Sequence, residues 1–296
     1  MIGLPPTVPS TFDEHIAAIV RDPENDALRS ELSKWLHASD PDRASFVSLQ
    51  LARAKQDRHR LPGHTEPSPD ERALLARHEA AWTRLVAPYL QRRPDGGPAC
   101  AFHRGLLAHI TIDPEVFAQH GERLLDLAPI RHADFAPVRP GALPALLASE
   151  TLARLDTVGF IDVGLDDDAV AAIAACPHLA RCLYLDLSVN PLGPPAFAAL
   201  AASPHLRQLL VVHRVQQPGL DDARTWHPGE LVAVERHPAG TRATRQPMRS
   251  EGRALEVRHG HLPWLHSANR VPRLDARWFV DRGYRPVPPT PSPVPP

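Results

Sequence analysis

The stretch Cys182-Leu-Tyr-Leu-Asp-Leu-Ser-Val-Asn190-Pro-Leu192 decides the fold of this 296-residue chain. Its leucines alternate with other residues, which is the period of a short strand with one buried face. Asn190 follows where the chain must turn, and its side chain can hydrogen-bond the backbone of that turn. Phe197 and Leu200 then supply the apolar face of a returning helix. The stretch therefore predicts one strand–turn–helix unit.

The same pattern occurs three times in the chain at a step of 27 residues, as the spacing of Leu152, Leu179 and Leu206 shows. One strand and one helix per repeat of this length is typical of leucine-rich repeats, whose units stack to bury a common core. The preceding copy has Val163 at the asparagine position, and the following copy has Arg214 where a buried residue is expected. We therefore predict a short leucine-rich-repeat solenoid.

The N-terminal third of the chain predicts a helical domain. Thr11, followed by Glu14, forms a capping box, and Ser68 before a proline is a second strong helix start. Apolar residues recur at helical spacing after each start. Trp35 and Trp82 fall on the apolar faces of these helices, so we predict that both lie in the core.

Part of this helical region resembles a known domain. The matching segments are Ile16-Ala-Ala-Ile19, Asp22-Pro-Glu-Asn-Asp-Ala-Leu-Arg29, Trp35-Leu36, Asp40-Pro-Asp-Arg-Ala44 and Phe46-Val-Ser-Leu-Gln50. Together they resemble the small helical "repeat-companion" domain found beside ribonuclease-inhibitor-like leucine-rich repeats in large bacterial paralogous families. Phe102-His-Arg-Gly-Leu106 and Ile110-Thr-Ile112 resemble the segment that joins this domain to the repeats.

The chain also departs from the pattern of that family. The family usually has an aromatic-Ala-Asp sequence where this chain has Leu32-Ser33-Lys34, and an acidic residue where Ser45 stands. Any site formed by those carboxylates is therefore lost here. The family has no well-established activity, so the resemblance implies the architecture and, by association, an interaction role.

These patterns predict an α/β chain of five regions. They are the helical repeat-companion domain (11–92), a joining β/α segment with the solenoid cap (100–150), the leucine-rich repeats (151–222), a β-rich C-terminal cap (223–285) and a disordered proline-rich tail (286–296). In the joining segment we expect a hairpin that turns at Arg104-Gly105, short helical turns up to Leu127 and a strand from Ile130 to Phe135. In the C-terminal cap the extended candidates are Glu230–Glu235, Ala254–Arg258 and Arg277–Val280.

Cysteine usage and the N-terminus indicate a cytoplasmic protein. Cys100, Cys176 and Cys182 form no CxxC pair, and the last two occupy small apolar repeat positions, so buried free thiols in a reducing compartment are expected. The N-terminal residues lack a signal-peptide pattern, and no apolar run reaches the ~18 residues of a membrane span. We expect no membrane partner.

No motif for catalysis or for a cofactor occurs in the sequence. GxSxG, GxGxxG, GxxxxGK[ST] and HExxH are all absent. Among 17 histidines the best metal spacing is His259-Gly-His261 with His266 nearby, which lacks the ligand set of a zinc site. The acidic run that begins at Asp166 stands where a helix starts, so we interpret it as a cap. We predict a non-catalytic chain without a cofactor or a metal.

The residues between the buried leucines of each strand are expected to point to the concave surface of the solenoid. A 27-residue register places Thr157 and Tyr184 in one row across the strands. It places Asp186 and His213 in the next row, and Ser188 lies in the row after that. Mixed aromatic and polar patches of this kind are favoured in protein interfaces. We therefore predict a protein–protein interaction module that uses these five residues. The sequence specifies neither the partner nor the oligomeric state.

Two alternative functions place the active part of the chain in its C-terminal region. From His213 to Arg285 the sequence has 13 Arg and 8 acidic residues, a local charge of +5, whereas the whole chain carries −1. This positive charge could bind the phosphates of a nucleic acid. The arginines are dispersed, however, and a solvated surface explains them better. The other alternative is a metal enzyme that depends on His259 and His261.

Overall fold

The computed structural model describes residues 9–59, 67–182, 184–187, 190–206, 210–214, 230–237 and 240–247. It confirms the α/β class. The helices are α1 Phe12–Arg21, α2 Asp26–Leu36, α3 Pro41–His59, α4 Pro69–Thr83, α5 Pro114–Leu127, α6 Ala142–Leu147, α7 Asp167–Ala174 and α8 Pro194–Ala202. The strands are β1 Cys100–His103, β2 Leu106–Ile112, β3 His132–Phe135, β4 Thr157–Gly159, β5 Tyr184–Asp186, β6 Leu210–Arg214, β7 Glu230–His237 and β8 Gly240–Pro247. None of the described helices is both long and apolar enough to cross a membrane.

The N-terminal helices begin where the sequence predicts. The Thr11 hydroxyl accepts a hydrogen bond from the Glu14 backbone N–H, and the Glu14 carboxylate accepts one from the Thr11 backbone N–H. The Ser68 hydroxyl caps α4 by accepting a hydrogen bond from the Glu71 backbone N–H. Helix α3 runs from Pro41 to His59.

The two tryptophans of the helical domain differ from each other in burial. Trp82 is half-buried and its ring packs against Phe46, in agreement with the prediction. Trp35 is 37% exposed, so its predicted core position is wrong. The reason is the orientation of α2, which turns Leu32 and Leu36 inward. Trp35 lies at the edge of that apolar stripe, where its ring contacts His15.

The β1–β2 hairpin connects the helical domain to the sheet. Its turn is Arg104-Gly105, as predicted, and both residues have positive φ angles, of 51° and 85°. The Gly105 N–H donates to Gln50 Oε1 on α3 at 2.8 Å. The buried Arg104 guanidinium forms ion pairs with Glu24 and Asp26 at the start of α2. The turn is thereby inserted into the helical domain.

The sheet has its eight strands in chain order, and strands β2 to β6 are parallel. Ala133, Val158, Leu185 and Val211 pair in one row across β3 to β6, with sequence steps of 25, 27 and 26 residues. Ala133, Val158 and Leu185 are buried in one apolar core together with residues of α5 to α8. Strand β1 on one side and β7 and β8 on the other are antiparallel.

The predicted register is correct for β4 and β5 but wrong for β6. Thr157 pairs with Tyr184, as a 27-residue step requires. In the next strand Asp186 pairs with Val212 instead of His213, because the last step is one residue shorter. A slip of one residue exchanges the two faces of a strand. His213 therefore does not share a row with Asp186.

Asn190 stabilises the turn that follows β5, as its position in the repeat predicts. Its side-chain oxygen accepts from the backbone N–H groups of Val163 and Leu165 at 3.1 and 3.0 Å. Its amide nitrogen donates to the carbonyls of Phe160 and Leu187 at 2.6 and 2.9 Å. One buried side chain thus connects two successive strand ends.

Other expectations are partly corrected. The residues from Pro114 to Leu127 form one helix, not several short turns. The first strand after it starts at His132, two residues later than expected. Strand β7 confirms the extended candidate at Glu230–Glu235, whereas those at 254–258 and 277–280 lie outside the described residues, as does the proline-rich tail. All three cysteines are buried and none is part of a disulfide; burial was expected for Cys176 and Cys182, which occupy repeat positions.

Candidate functional site

By backbone register, two rows of residues cross strands β2 to β6 at the positions that alternate with the buried row of Ala133, Val158 and Leu185. The first row consists of His109, His132, Thr157, Tyr184 and Leu210. The second row consists of Thr111, Asp134, Gly159, Asp186 and Val212. Polar residues dominate the part of both rows that lies on β2, β3 and β4. This polar face is the candidate functional surface.

The structure places the five predicted interface residues in different situations. Thr157 and Asp186 are only 2% and 4% exposed, contrary to the expectation that they point freely to solvent. Strands lie about 4.8 Å apart, so short side chains in the middle of a row are shielded by their neighbours. Tyr184 belongs to the first row by its backbone register. His213 lies in β6 outside both rows, and Ser188 lies outside the described residues.

A cluster that no sequence motif indicated lies at the polar end of this face. His109 comes from β2, and His132 and Asp134 come from β3. The Nε2 atoms of His109 and His132 lie 2.9 and 3.0 Å from different oxygens of the Asp134 carboxylate. The centres of the two imidazole rings are 4.1 Å apart. We call these three residues the His–Asp–His cluster.

The local fold explains why these three side chains meet. Residues 132 and 134 share a face because side chains alternate along a strand, and the parallel register places His109 directly beside His132. Gly159 stands next to Asp134 in the second row, and a Cβ atom there would lie 2.1 Å from Asp134 Oδ1. The glycine therefore leaves the space that the carboxylate occupies.

The electrostatics of the cluster favour an ionised carboxylate. Burial raises the pKa of Asp134, but the charges and hydrogen bonds of His132 and His109 outweigh burial and hold it well below its usual value. The side chain of His109 is 3% exposed, while those of His132 and Asp134 are 15% and 17% exposed. The cluster is thus anchored in the sheet and open on one side.

Two imidazole nitrogens and a carboxylate oxygen are a donor set that can hold a transition-metal ion. The three ligand atoms all lie within 4.8 Å of one another. The sequence contained one signal, because His132-x-Asp134 has strand spacing, but the partner His109 becomes visible only once the register is known. The candidates named from sequence, His259, His261 and His266, lie outside the described residues.

Two other polar segments were named from sequence, the acidic run that begins at Asp166 and the arginine-rich part beyond His213. Asp166 caps α7 by accepting from the Ala169 N–H, and Asp167 accepts from the Gly193 N–H. The interpretation of this acidic run as a cap is confirmed for Asp166. Most of the arginine-rich part beyond His213 lies outside the described residues.

No protein-family model, no curated protein and no solved structure matches this chain. Its function is therefore inferred from the geometry of the described residues.

Proposed function

We propose that this chain is a non-catalytic protein-interaction module, in which a helical domain of the repeat-companion type precedes a short leucine-rich-repeat solenoid. The observation that carries the proposal is the regular row of Ala133, Val158, Leu185 and Val211 on successive parallel strands. Asn190 supports it by connecting successive turns in the way such repeats require. Arrays of this kind form a broad, rigid surface without needing a pocket.

The burial pattern moves the proposed interface toward the first strands of the array. Thr157 and Asp186 offer a partner little area. Thr111, His132 and Asp134 are each partly exposed on the same face. A partner that docks there meets hydrogen-bonding groups around an ionised carboxylate, with Tyr184 further along the first row.

The state of the cysteines argues against a cysteine nucleophile. Each of the three is buried, and burial raises the pKa of the Cys176 thiol, which disfavours the reactive thiolate. Catalysis by a cysteine would need a thiol with a lowered pKa and access to substrate.

Affinity capture with the full chain as bait in a lysate of the native cell tests the proposal. Tyr184→Ala and Thr111→Arg alter the proposed face, whereas Glu122→Ala alters an exposed residue on α5, behind the sheet. We expect recovery of specific partners to fall more than about tenfold for both face variants, as for the loss of a hot-spot residue, and to stay unchanged for Glu122→Ala. Equal recovery with all four proteins, each shown to be folded by circular dichroism, would contradict the proposal.

A further inference from the structure

We propose that the His–Asp–His cluster binds one divalent transition-metal ion of the zinc class, through the Nε2 atoms of His109 and His132 and the carboxylate of Asp134. This goes beyond an interaction role and does not depend on it.

The distances within the cluster fit such an ion. Metal–nitrogen and metal–oxygen bonds to zinc are about 2.0–2.2 Å long, so two ligand atoms on one tetrahedral ion lie about 3.4 Å apart. The two imidazole nitrogens lie 2.9 and 3.0 Å from the carboxylate oxygens. To admit an ion, each nitrogen would move a few tenths of an ångström away from the carboxylate oxygen that it now contacts, and all three ligand atoms already lie within 4.8 Å of one another.

The scaffold holds the three ligands in place. All three project from paired positions of β2 and β3, where backbone hydrogen bonds set the register. Sites on strands are more precise than sites on loops. The missing side chain at Gly159 gives the Asp134 carboxylate its position, since a Cβ there would overlap Oδ1.

The donor set and its exposure determine the class of ion. Two imidazoles and one carboxylate suit Zn²⁺, Co²⁺ or Ni²⁺, whereas Mg²⁺ and Ca²⁺ prefer sites built from oxygen alone. His132 and Asp134 are partly exposed and His109 is buried. An ion would therefore enter from the open face and keep at least one coordination position for water or for a group from another molecule.

Metal titration of the full chain after treatment with a chelator tests the site. Calorimetry with Zn²⁺ should show one equivalent, and Co²⁺ should give the visible absorption of a low-symmetry site with nitrogen and oxygen ligands. His132→Ala and Asp134→Asn should each weaken binding by more than about 100-fold, beyond the loss expected for an outer-shell residue. Because the chain has 17 histidines, the matched control is the double variant His259→Ala, His261→Ala, which should bind the metal as the original chain does.

Three results would overturn the proposal: no binding of one equivalent, equal binding by Asp134→Asn, or loss of binding in the His259, His261 double variant. Asp134→Asn has nearly the same shape as the original residue, so it decides the question even if His132→Ala does not fold. The interaction proposal is tested separately, because partner capture can be repeated with chelator present. If the chain captures partners but binds no metal, the metal-site proposal is wrong and the interaction proposal still holds.

Discussion

His15 is a buried imidazole in the helical domain, and its environment makes a protonated state unfavourable. Its Nε2 atom has no hydrogen-bond partner among the described residues, and its ring packs against Trp35. Burial lowers the pKa of His15, and the carboxylates of Glu31 and Glu14 oppose this only in part. A lowered pKa in the folded state means that the unfolded chain takes up the proton first as the pH falls.

We expect His15 to make the fold sensitive to acid. Its contribution to stability is fully present above the unfolded pKa of about 6.5 and is lost as the pH falls below that value toward the lower folded pKa. The replacement His15→Phe keeps an aromatic ring in the site and removes the titration. Urea unfolding at pH 7.5, 6.0 and 5.0 should therefore show a smaller loss of stability for His15→Phe than for the original chain. Parallel curves for the two proteins would show that His15 does not titrate in this way.

The cysteines predict a second property at the scale of single residues. All three thiols are buried, and burial raises the pKa of Cys176. Because only the thiolate reacts quickly with disulfide reagents, the folded chain should show almost no fast reaction with a chromogenic aromatic disulfide, whereas the chain in guanidinium should react at all three cysteines. A fast equivalent in the folded state would contradict the burial described.

Asn190 acts at the scale of the strand–turn–helix unit. It satisfies two backbone N–H groups and two carbonyls that belong to neighbouring units, and it is itself buried. Alanine at this position leaves those groups without their partner, and each buried unsatisfied group costs about 1–3 kcal/mol. Sequence alone suggested this role, since asparagine stands where the strand must turn.

We expect Asn190→Ala to lower the free energy of unfolding by about 3 kcal/mol or more. The matched control is Asn25→Ala, which removes one helix-capping hydrogen bond accepted from the Ala27 N–H and one exposed hydrogen bond donated to Asp22, and which should cost about 1 kcal/mol. Chemical denaturation followed by circular dichroism measures both values. Similar losses for the two variants would mean that the four hydrogen bonds of Asn190 do not act together.

For the whole molecule the decisive contact is the insertion of the Arg104-Gly105 turn into the helical domain. Gly105 has φ of 85°, and a Cβ atom there would lie 2.5 Å from the Val47 Cα on α3. Gly96 has a similar φ of 82°, but a Cβ atom added there would have no atom within 4 Å. A substitution at Gly96 therefore measures the effect of backbone strain alone, whereas one at Gly105 measures backbone strain together with close packing.

We expect Gly96→Ala to cost about 1 kcal/mol, the strain of a left-handed backbone for an L-residue. Gly105→Ala should cost at least about 2 kcal/mol more, because overpacking against a helix backbone adds to that strain. Thermal unfolding and limited proteolysis between the helices and the sheet measure the difference. Equal costs would indicate that the turn is not held tightly against α3.

The sequence by itself determined the features that depend on neighbouring residues. Helix caps such as Thr11 and Ser68, the hairpin turn at Arg104-Gly105 and the role of Asn190 follow from local hydrogen bonding and from allowed backbone angles. These preferences act within a few residues, so the order of amino acids is enough to predict them.

Only the tertiary structure decided which distant residues share a face. The shorter step before β6 separates His213 from Asp186, and strand pairing brings His109 beside His132 across 23 positions of sequence. Asp186 is only 4% exposed, which the alternation of residues along its strand did not predict. Register is set by the length of each connection and by packing against the helices, and an error of one residue exchanges the two faces of a strand.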